Sequence, residues 1–264
     1  MSHKHIIITG STRGIGYGLA EAFLSLECSV TVSGRGEEAV EKAVAGLQSR
    51  FEAKRIFGVA CNVTDPDQVQ ALWNKSIERF GKVDIWVNNA GWSGEQGMVW
   101  ERPEDEMTGV ITINLLGTTY GSQVAMKGML AQGVGAIYNM EGMGSDGRKH
   151  AGLTLYGTSK YAVHYFTESL ALEAKETPVL VGGLRPGMVV TGLITDRYKD
   201  RPEEWERARK IFNIIADTVE NVSPWMAKRM LANQRNGAVL AYSSTWKLLW
   251  RLVKQPFVKR NLFK

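Results

Sequence analysis

The sequence predicts an α/β fold, a single doubly wound parallel sheet of seven strands with helices on both faces. Three observations carry that expectation. Short apolar, β-branched runs alternate with longer helical patterns along nearly the whole chain, as repeated βαβ units require. A glycine-rich turn separates the first such run from the first helix. Finally, no repeat, low-complexity stretch or linker divides residues 1–242, so one domain accounts for them.

The first strand is expected over His5–Thr9 and the first helix over Ile15–Leu26, with Gly10-Ser11-Thr12-Arg13-Gly14-Ile15-Gly16 between them. Glycines there let the backbone turn tightly and approach a pyrophosphate, whose charge a helix N-terminus favours. The spacing is G-x-x-x-G-x-G rather than G-x-G-x-x-G, so a ligand-free turn is the alternative. The second strand, Ser29–Ser33, runs into Gly34-Arg35 with no acid at its tip to bind a ribose 2′-hydroxyl. Arg13 and Arg35 can instead hold a 2′-phosphate through charge-assisted hydrogen bonds, which points to NADP, with NADPH as hydride donor. Two solvated surface arginines are the plainer reading.

Next come a helix over Glu37–Arg50, a strand over Arg55–Ala60, a helix over Asp65–Phe80 and a strand over Val83–Asn88. One long helix is expected over Pro103–Leu130, then a strand over Gly135–Met140 and a helix over Leu155–Ala174. That last helix carries Tyr156 and Lys160 four residues apart, on one face. A free phenol has a pKa of about 10. A neighbouring cation stabilises the phenolate and brings the group nearer the working range of a proton donor. Alone, Y-x-x-x-K also describes a tyrosine and a lysine on a solvated helix surface. The remaining elements are a strand over Val179–Leu184, helices over Arg201–Ala216 and Val222–Ala232, and a strand over Gly237–Tyr242.

Residues 192–221 interrupt the pattern where a sheet of this kind binds ligands, at strand carboxyl ends. Tyr198, Trp205, Phe212, Ile214 and Ile215 there, flanked by arginines, suit a bulky apolar ligand, or an amphipathic helix packed on the sheet.

Charge is unevenly placed. Residues 243–264 hold six basic side chains and no acid, and without them 26 basic residues face 27 acidic ones, a net charge of −1. A nucleic-acid-binding body would spread its basic footprint over a folded face, so no nucleic-acid partner is expected. Trp246, Leu249, Trp250, Val253 and Phe257 recur at helical spacing against Lys247, Arg251 and Lys254. The pattern fits peripheral contact with an anionic membrane, and equally a helix docked on the body or on a second subunit; docking is the expectation. Cys28 and Cys61 lie in apolar stretches and give neither a disulfide framework nor a metal site. The start lacks the apolar run of a signal peptide, and a cytoplasmic protein is expected.

The motifs together resemble the short-chain dehydrogenase/reductase family, whose fold is a Rossmann-type sheet. Gly10-x-x-x-Gly14-x-Gly16, Asn88-Asn89-Ala90-Gly91, Asn114, Tyr156-x-x-x-Lys160 and Pro186-Gly187-x-x-x-Thr191 occur in that family's order and spacing. The resemblance implies that Tyr156 protonates the alkoxide formed by hydride delivery, that Lys160 binds the nicotinamide ribose and that Asn114 anchors a proton-relay water. It implies cofactor contacts from Gly10, Ser11, Thr12, Arg13, Gly14, Ile15 and Gly16. It adds Arg35, Asn62 and Val63 on the adenosine side, Asn88, Asn89, Ala90 and Gly91 at the centre, and Pro186, Gly187, Val189 and Thr191 by the carboxamide. A homodimer or homotetramer is the family's usual assembly.

One position departs from the pattern. The family's catalytic serine usually stands three residues after the asparagine matched by Asn139, where this chain has Gly142. Ser145, three residues on, is the candidate to polarise a carbonyl, or it merely caps the loop. The stretch Asn139-Met140-Glu141-Gly142-Met143-Gly144-Ser145-Asp146-Gly147 looks like the corresponding loop of chlorophyll b reductases, as do Ile211–Ile215 and the basic-aromatic end. That narrower resemblance implies reduction of a formyl group to hydroxymethyl on a small but bulky hydrophobic carbonyl substrate. The plant members carry transit peptides and this chain shows none, so a bacterial relative is expected. The alternatives are a cofactor-binding regulatory protein with reduced catalysis and a more general ketone or 3-oxoacyl reductase.

Overall fold

A computed structural model describes residues 3–192, 198, 202–243, 250 and 260–263 of the chain. Seven parallel strands form one sheet in the order β3-β2-β1-β4-β5-β6-β7. They are β1 (His5–Ile8), β2 (Ser29–Gly34), β3 (Ile56–Ala60), β4 (Ile85–Asn88), β5 (Gly135–Met140), β6 (Val179–Arg185) and β7 (Ala238–Ala241). Every residue of β1, β2, β4 and β5 is buried, as expected where helices cover both sides of a parallel sheet.

The helices are α1 (Gly14–Ser25), α2 (Glu37–Gln48), α3 (Pro66–Phe80), α4 (Glu104–Ile111), α5 (Gly117–Gln132), α6 (Thr154–Glu173), α7 (Pro202–Ile215) and α8 (Val219–Ala232). Local chemistry fixes their ends. The Asp65 carboxylate accepts from the backbone N–H of Asp67 and Gln68 at 3.0 and 3.3 Å, Pro66 opens α3, and Gly81 closes it at φ 79°. One core packs α1, α2 and α8 against the sheet through Phe23, Leu47 and Met226; a second packs α3 and α5 through Leu72, Trp73 and Met129.

Most expected elements stand within a few residues of their places. The exception is the long helix expected over Pro103–Leu130. It is two α-helices joined by a π-helical stretch, Thr112–Leu116, with Asn114 at its centre. Apolar spacing reports the face of a helix and not the count of residues per turn, so the widening was invisible in the pattern.

Strand order reverses between β1 and β4, which opens a crevice at their carboxyl ends. A Cβ on Gly10 would lie 2.7 Å from the Ala90 Cα, so the turn after β1 and the segment after β4 touch at that crevice. No helix among the described residues is long and apolar enough to cross a membrane. Of the tail's apolar positions, Trp246, Leu249, Val253 and Phe257 lie outside the described residues, and Trp250 is exposed.

Candidate active site

The glycine turn is built from within. Gly10 and Gly14 take φ of 62° and 59°, the left-handed region that costs glycine nothing. Ser11 is fully buried, and its hydroxyl donates to the Ile8 carbonyl at 2.6 Å and accepts from the Ser33 N–H at 2.9 Å. Its side chain therefore shapes the cradle. Thr12 packs its methyl over Gly34. Gly16 approaches so closely that a Cβ there would lie 2.6 Å from the Gly10 carbonyl oxygen. Arg13, exposed, stands at the N-cap of α1, and Ile15 is half-buried in its first turn. The free N–H groups of α1 thus open onto a bare glycine surface fit for a diphosphate.

On the adenosine side lies a cleft of about 650 Å³ lined by Arg35, Asn62, Thr64, Glu104, Asp105, Thr108, Gly109, Thr112 and Ile113. Arg35 faces it from the tip of β2. The Asn62 amide oxygen is engaged by the Thr64 N–H at 3.3 Å, while Val63 is buried and packs on Gly117. Of the two arginines, Arg35 lines this cleft and Arg13 does not.

At the centre, Asn88 is a structural amide. Its Oδ1 accepts from the Trp86 indole at 2.7 Å, and its Nδ2 donates to Ser122 and Asn139 at 3.0 and 2.8 Å. Asn139 in turn donates to Thr167 on α6, so β4, β5, α5 and α6 are tied by one buried polar network. Asn89 donates from Nδ2 to the carbonyls of Thr9 and Gly10, each at 2.9 Å, and thereby fixes Ala90 and Gly91 against the glycine turn.

Tyr156, Lys160 and Asn114 converge here. A Cβ on Gly91 would sit 3.2 Å from Asn114 Oδ1 and 3.5 Å from Lys160 Nζ. A Cβ on Gly142 would sit 2.5 Å from the Tyr156 hydroxyl and 3.2 Å from Lys160 Cγ. Both glycines thus border the group formed by Tyr156, Lys160 and Asn114. Lys160 is 4% exposed and donates to the Met140 carbonyl at 2.9 Å. Burial pulls its pKa from 10.5 down to about 8, and the Glu141 charge opposes that fall. Asn114 is fully buried, accepts from the Trp92 N–H at 2.7 Å and donates to the Trp92 carbonyl and the Ser159 hydroxyl, each at 2.8 Å.

Ser145 is 2% exposed, in a loop whose Gly144 presses on the Gly157 backbone of α6. It is packed beside the tyrosine-bearing turn rather than displayed to solvent. The loop Pro186–Thr191 comes from the other side. Gly187 takes φ 75°, the Thr191 methyl lies 3.6 Å from the place of a Gly14 Cβ, and Val189 is buried in a parallel bridge to Asp217.

Two features had no sequence signal. Ser159 orients Asn114, yet the chain contains many helical serines. Glu141, with its side chain wholly buried, accepts from Arg185 Nε and lies 3.1 Å from His164 Nδ1. Those three residues come from the end of β6, from α6 and from just beyond β5, and meet only in the fold.

Residues 4–202 match the short chain dehydrogenase family. The chain belongs to that family. It is 33% identical over 237 residues to the chloroplastic chlorophyll(ide) b reductase NOL of Oryza sativa subsp. japonica, covering 88% of this chain and 68% of that protein. It is 29% identical over 266 residues to the probable chloroplastic chlorophyll(ide) b reductase NYC1 of Arabidopsis thaliana, covering 95% of this chain but 52% of that protein. The chain thus spans about half the length of the second relative. Among solved structures, actinorhodin polyketide ketoreductase with NADPH superposes with a TM-score of 0.81 at 27% identity, covering 91% of this chain and 95% of that one. ElxO with NADP bound gives a TM-score of 0.80 at 28% identity, covering 90% and 96%. The chain is therefore an oxidoreductase of the short-chain dehydrogenase family with a nicotinamide dinucleotide site.

Proposed function

We propose that this short-chain dehydrogenase uses NADPH to reduce the formyl group of a bulky hydrophobic substrate to a hydroxymethyl group. One observation carries the reading: the wall at Gly142 leaves no room for a side chain beside the Tyr156 hydroxyl, while the loop's serine is buried three residues on, beside the same turn of α6. The relatives support it, since one is named a chlorophyll(ide) b reductase and another a probable chlorophyll(ide) b reductase. NADPH, when bound, supplies the hydride to the carbonyl carbon. Tyr156 then gives its proton to the carbonyl oxygen. Lys160, a cation held against the Met140 carbonyl, stabilises the phenolate left behind. Asn114 holds the Trp92 backbone, and so keeps the wall opposite Tyr156 in place. Ser145 polarises the carbonyl. Arg35 selects NADPH through the 2′-phosphate.

The exposed rings of Tyr161 and Tyr165 and the exposed Leu172 on α6 suit a homo-oligomer through that helix. The test of substrate is turnover. Purified protein with NADPH is offered a formyl-bearing chlorin, a long-chain aldehyde, a steroid ketone and a 3-oxoacyl thioester. Preference for the formyl compounds is expected. Preference for the ketone or the thioester overturns the formyl assignment, and NADPH binding without turnover of any of them favours a regulatory protein.

A further inference from the structure

We infer that Arg260, close to the end of the chain, is a positioning residue that couples the C-terminal segment to the cofactor loop through Asp217. The inference rests on the NADPH reading of the site.

Helix α7 ends at Ile215 with its last carbonyls pointing away from the helix, where a cation is favoured. Arg260 meets them, donating from Nη1 to the Ile214 and Ala216 carbonyls at 3.3 and 3.0 Å. Its Nη2 lies 3.5 Å from Asp217 Oδ1. The segment is pinned twice more: the Leu262 N–H donates to Asn213 Oδ1 at 2.8 Å, and the Phe263 ring meets Trp205 edge-on at 4.8 Å between centroids.

Asp217 is the hub. It is 4% exposed, and its carboxylate also accepts from Tyr242 at 2.8 Å, Asn221 at 2.9 Å and the Thr218 N–H at 3.1 Å. Its backbone pairs on both sides with the cofactor loop, donating to the Met188 carbonyl and accepting from the Val190 N–H, each at 2.9 Å. One residue further, Thr191 rests over Gly14 of the phosphate turn. A path of polar contacts therefore runs from Arg260 through Asp217 to the Met188–Val190 backbone, and Thr191 next to it lies against Gly14 of the phosphate turn. Taking away the Arg260 guanidinium removes positive charge from beside a buried carboxylate and so weakens the support of the backbone that carries it.

The test compares the full chain with Arg260→Gln, Arg260→Lys and a truncation after Lys259. Two readouts are taken: the Kd for NADPH, and hydrogen exchange at the Val190 and Asp217 amides without cofactor. Arg260→Gln and the truncation are expected to raise Kd on the order of 10-fold and to speed exchange at both amides, with kcat at saturation little changed. Arg260→Lys keeps the cation and recovers part of each effect. Unchanged exchange at Val190 overturns the coupling, and so does faster exchange with an unchanged Kd. Should the parent protein not bind NADPH, the cofactor reading fails, and exchange alone still decides whether Arg260 reaches the loop. If Arg260→Gln does not fold, the Lys variant and the truncation decide.

Discussion

The Gly142 backbone stands so near the Tyr156 hydroxyl that a Cβ on it would lie 2.5 Å from that oxygen. The place where related enzymes carry a serine is therefore closed to any side chain unless the tyrosine moves. Gly142→Ser should not restore a missing donor; it should displace Tyr156 and lower kcat by about 10-fold or more, one misplaced reacting group being costly. Ser145→Ala should lower kcat on the order of 10²–10³, the usual effect of losing one carbonyl donor. Steady-state kinetics on both variants decide. A Gly142→Ser enzyme faster than its parent would mean that the wall yields and Ser145 is structural.

Tyr156→Phe removes the proton donor and leaves the ring in its buried seat. Turnover should fall on the order of 10²–10⁴, with NADPH affinity nearly intact. Lys160→Ala should damage both, because the ammonium faces the cofactor side at Gly91 as well as the tyrosine. Fluorescence titration with NADPH beside turnover separates the two patterns.

Lys160 sets a pH limit. Its pKa is pulled down from 10.5 to about 8, so the cation is lost as pH rises through that value. Reduction needs the ammonium and the tyrosine proton, so kcat/KM should fall on the alkaline side of about 8. Glu141 raises this pKa, and Glu141→Gln should move the limb toward lower pH. A pH profile of both proteins shows it, and a limb that moves upward or stays fixed contradicts the electrostatic link.

Arg35 lines the adenosine cleft from the tip of β2. Arg35→Ala should weaken NADPH binding about 10-fold, the scale of one charge-assisted hydrogen bond, and leave NADH unaffected. Equal affinities of the parent for the two cofactors would remove the basis for this selectivity.

The phosphate turn and the Tyr156–Lys160 pair were legible because each rests on local rules, while the Asn88–Gly91 segment was legible only through its likeness to the family's motif. Glycine at left-handed positions and a four-residue helical step act within a few residues of chain. What escaped depends on distance in the chain. The Glu141–Arg185–His164 cluster and the Asp217–Arg260 pair join residues from separate elements, and no periodicity announces such meetings. Asn88 was legible as a site residue, yet its side chain is spent on Trp86, Ser122 and Asn139, where it fixes the sheet.

The π-helical stretch around Asn114 gives the site a dependence that no substitution scan would find. Successive residues of an α-helix are turned by about 100° from one another, so deleting one residue near Thr112 would swing Asn114 away from Trp92 and Ser159. Every side chain of the pocket would still be encoded. The bonds of Asn114 to Trp92 and Ser159 would nonetheless be gone, because what places its amide is the number of residues in the helix. Grafting these catalytic residues onto a regular helix would fail for the same reason, and an insertion–deletion library is the tool that would reveal it.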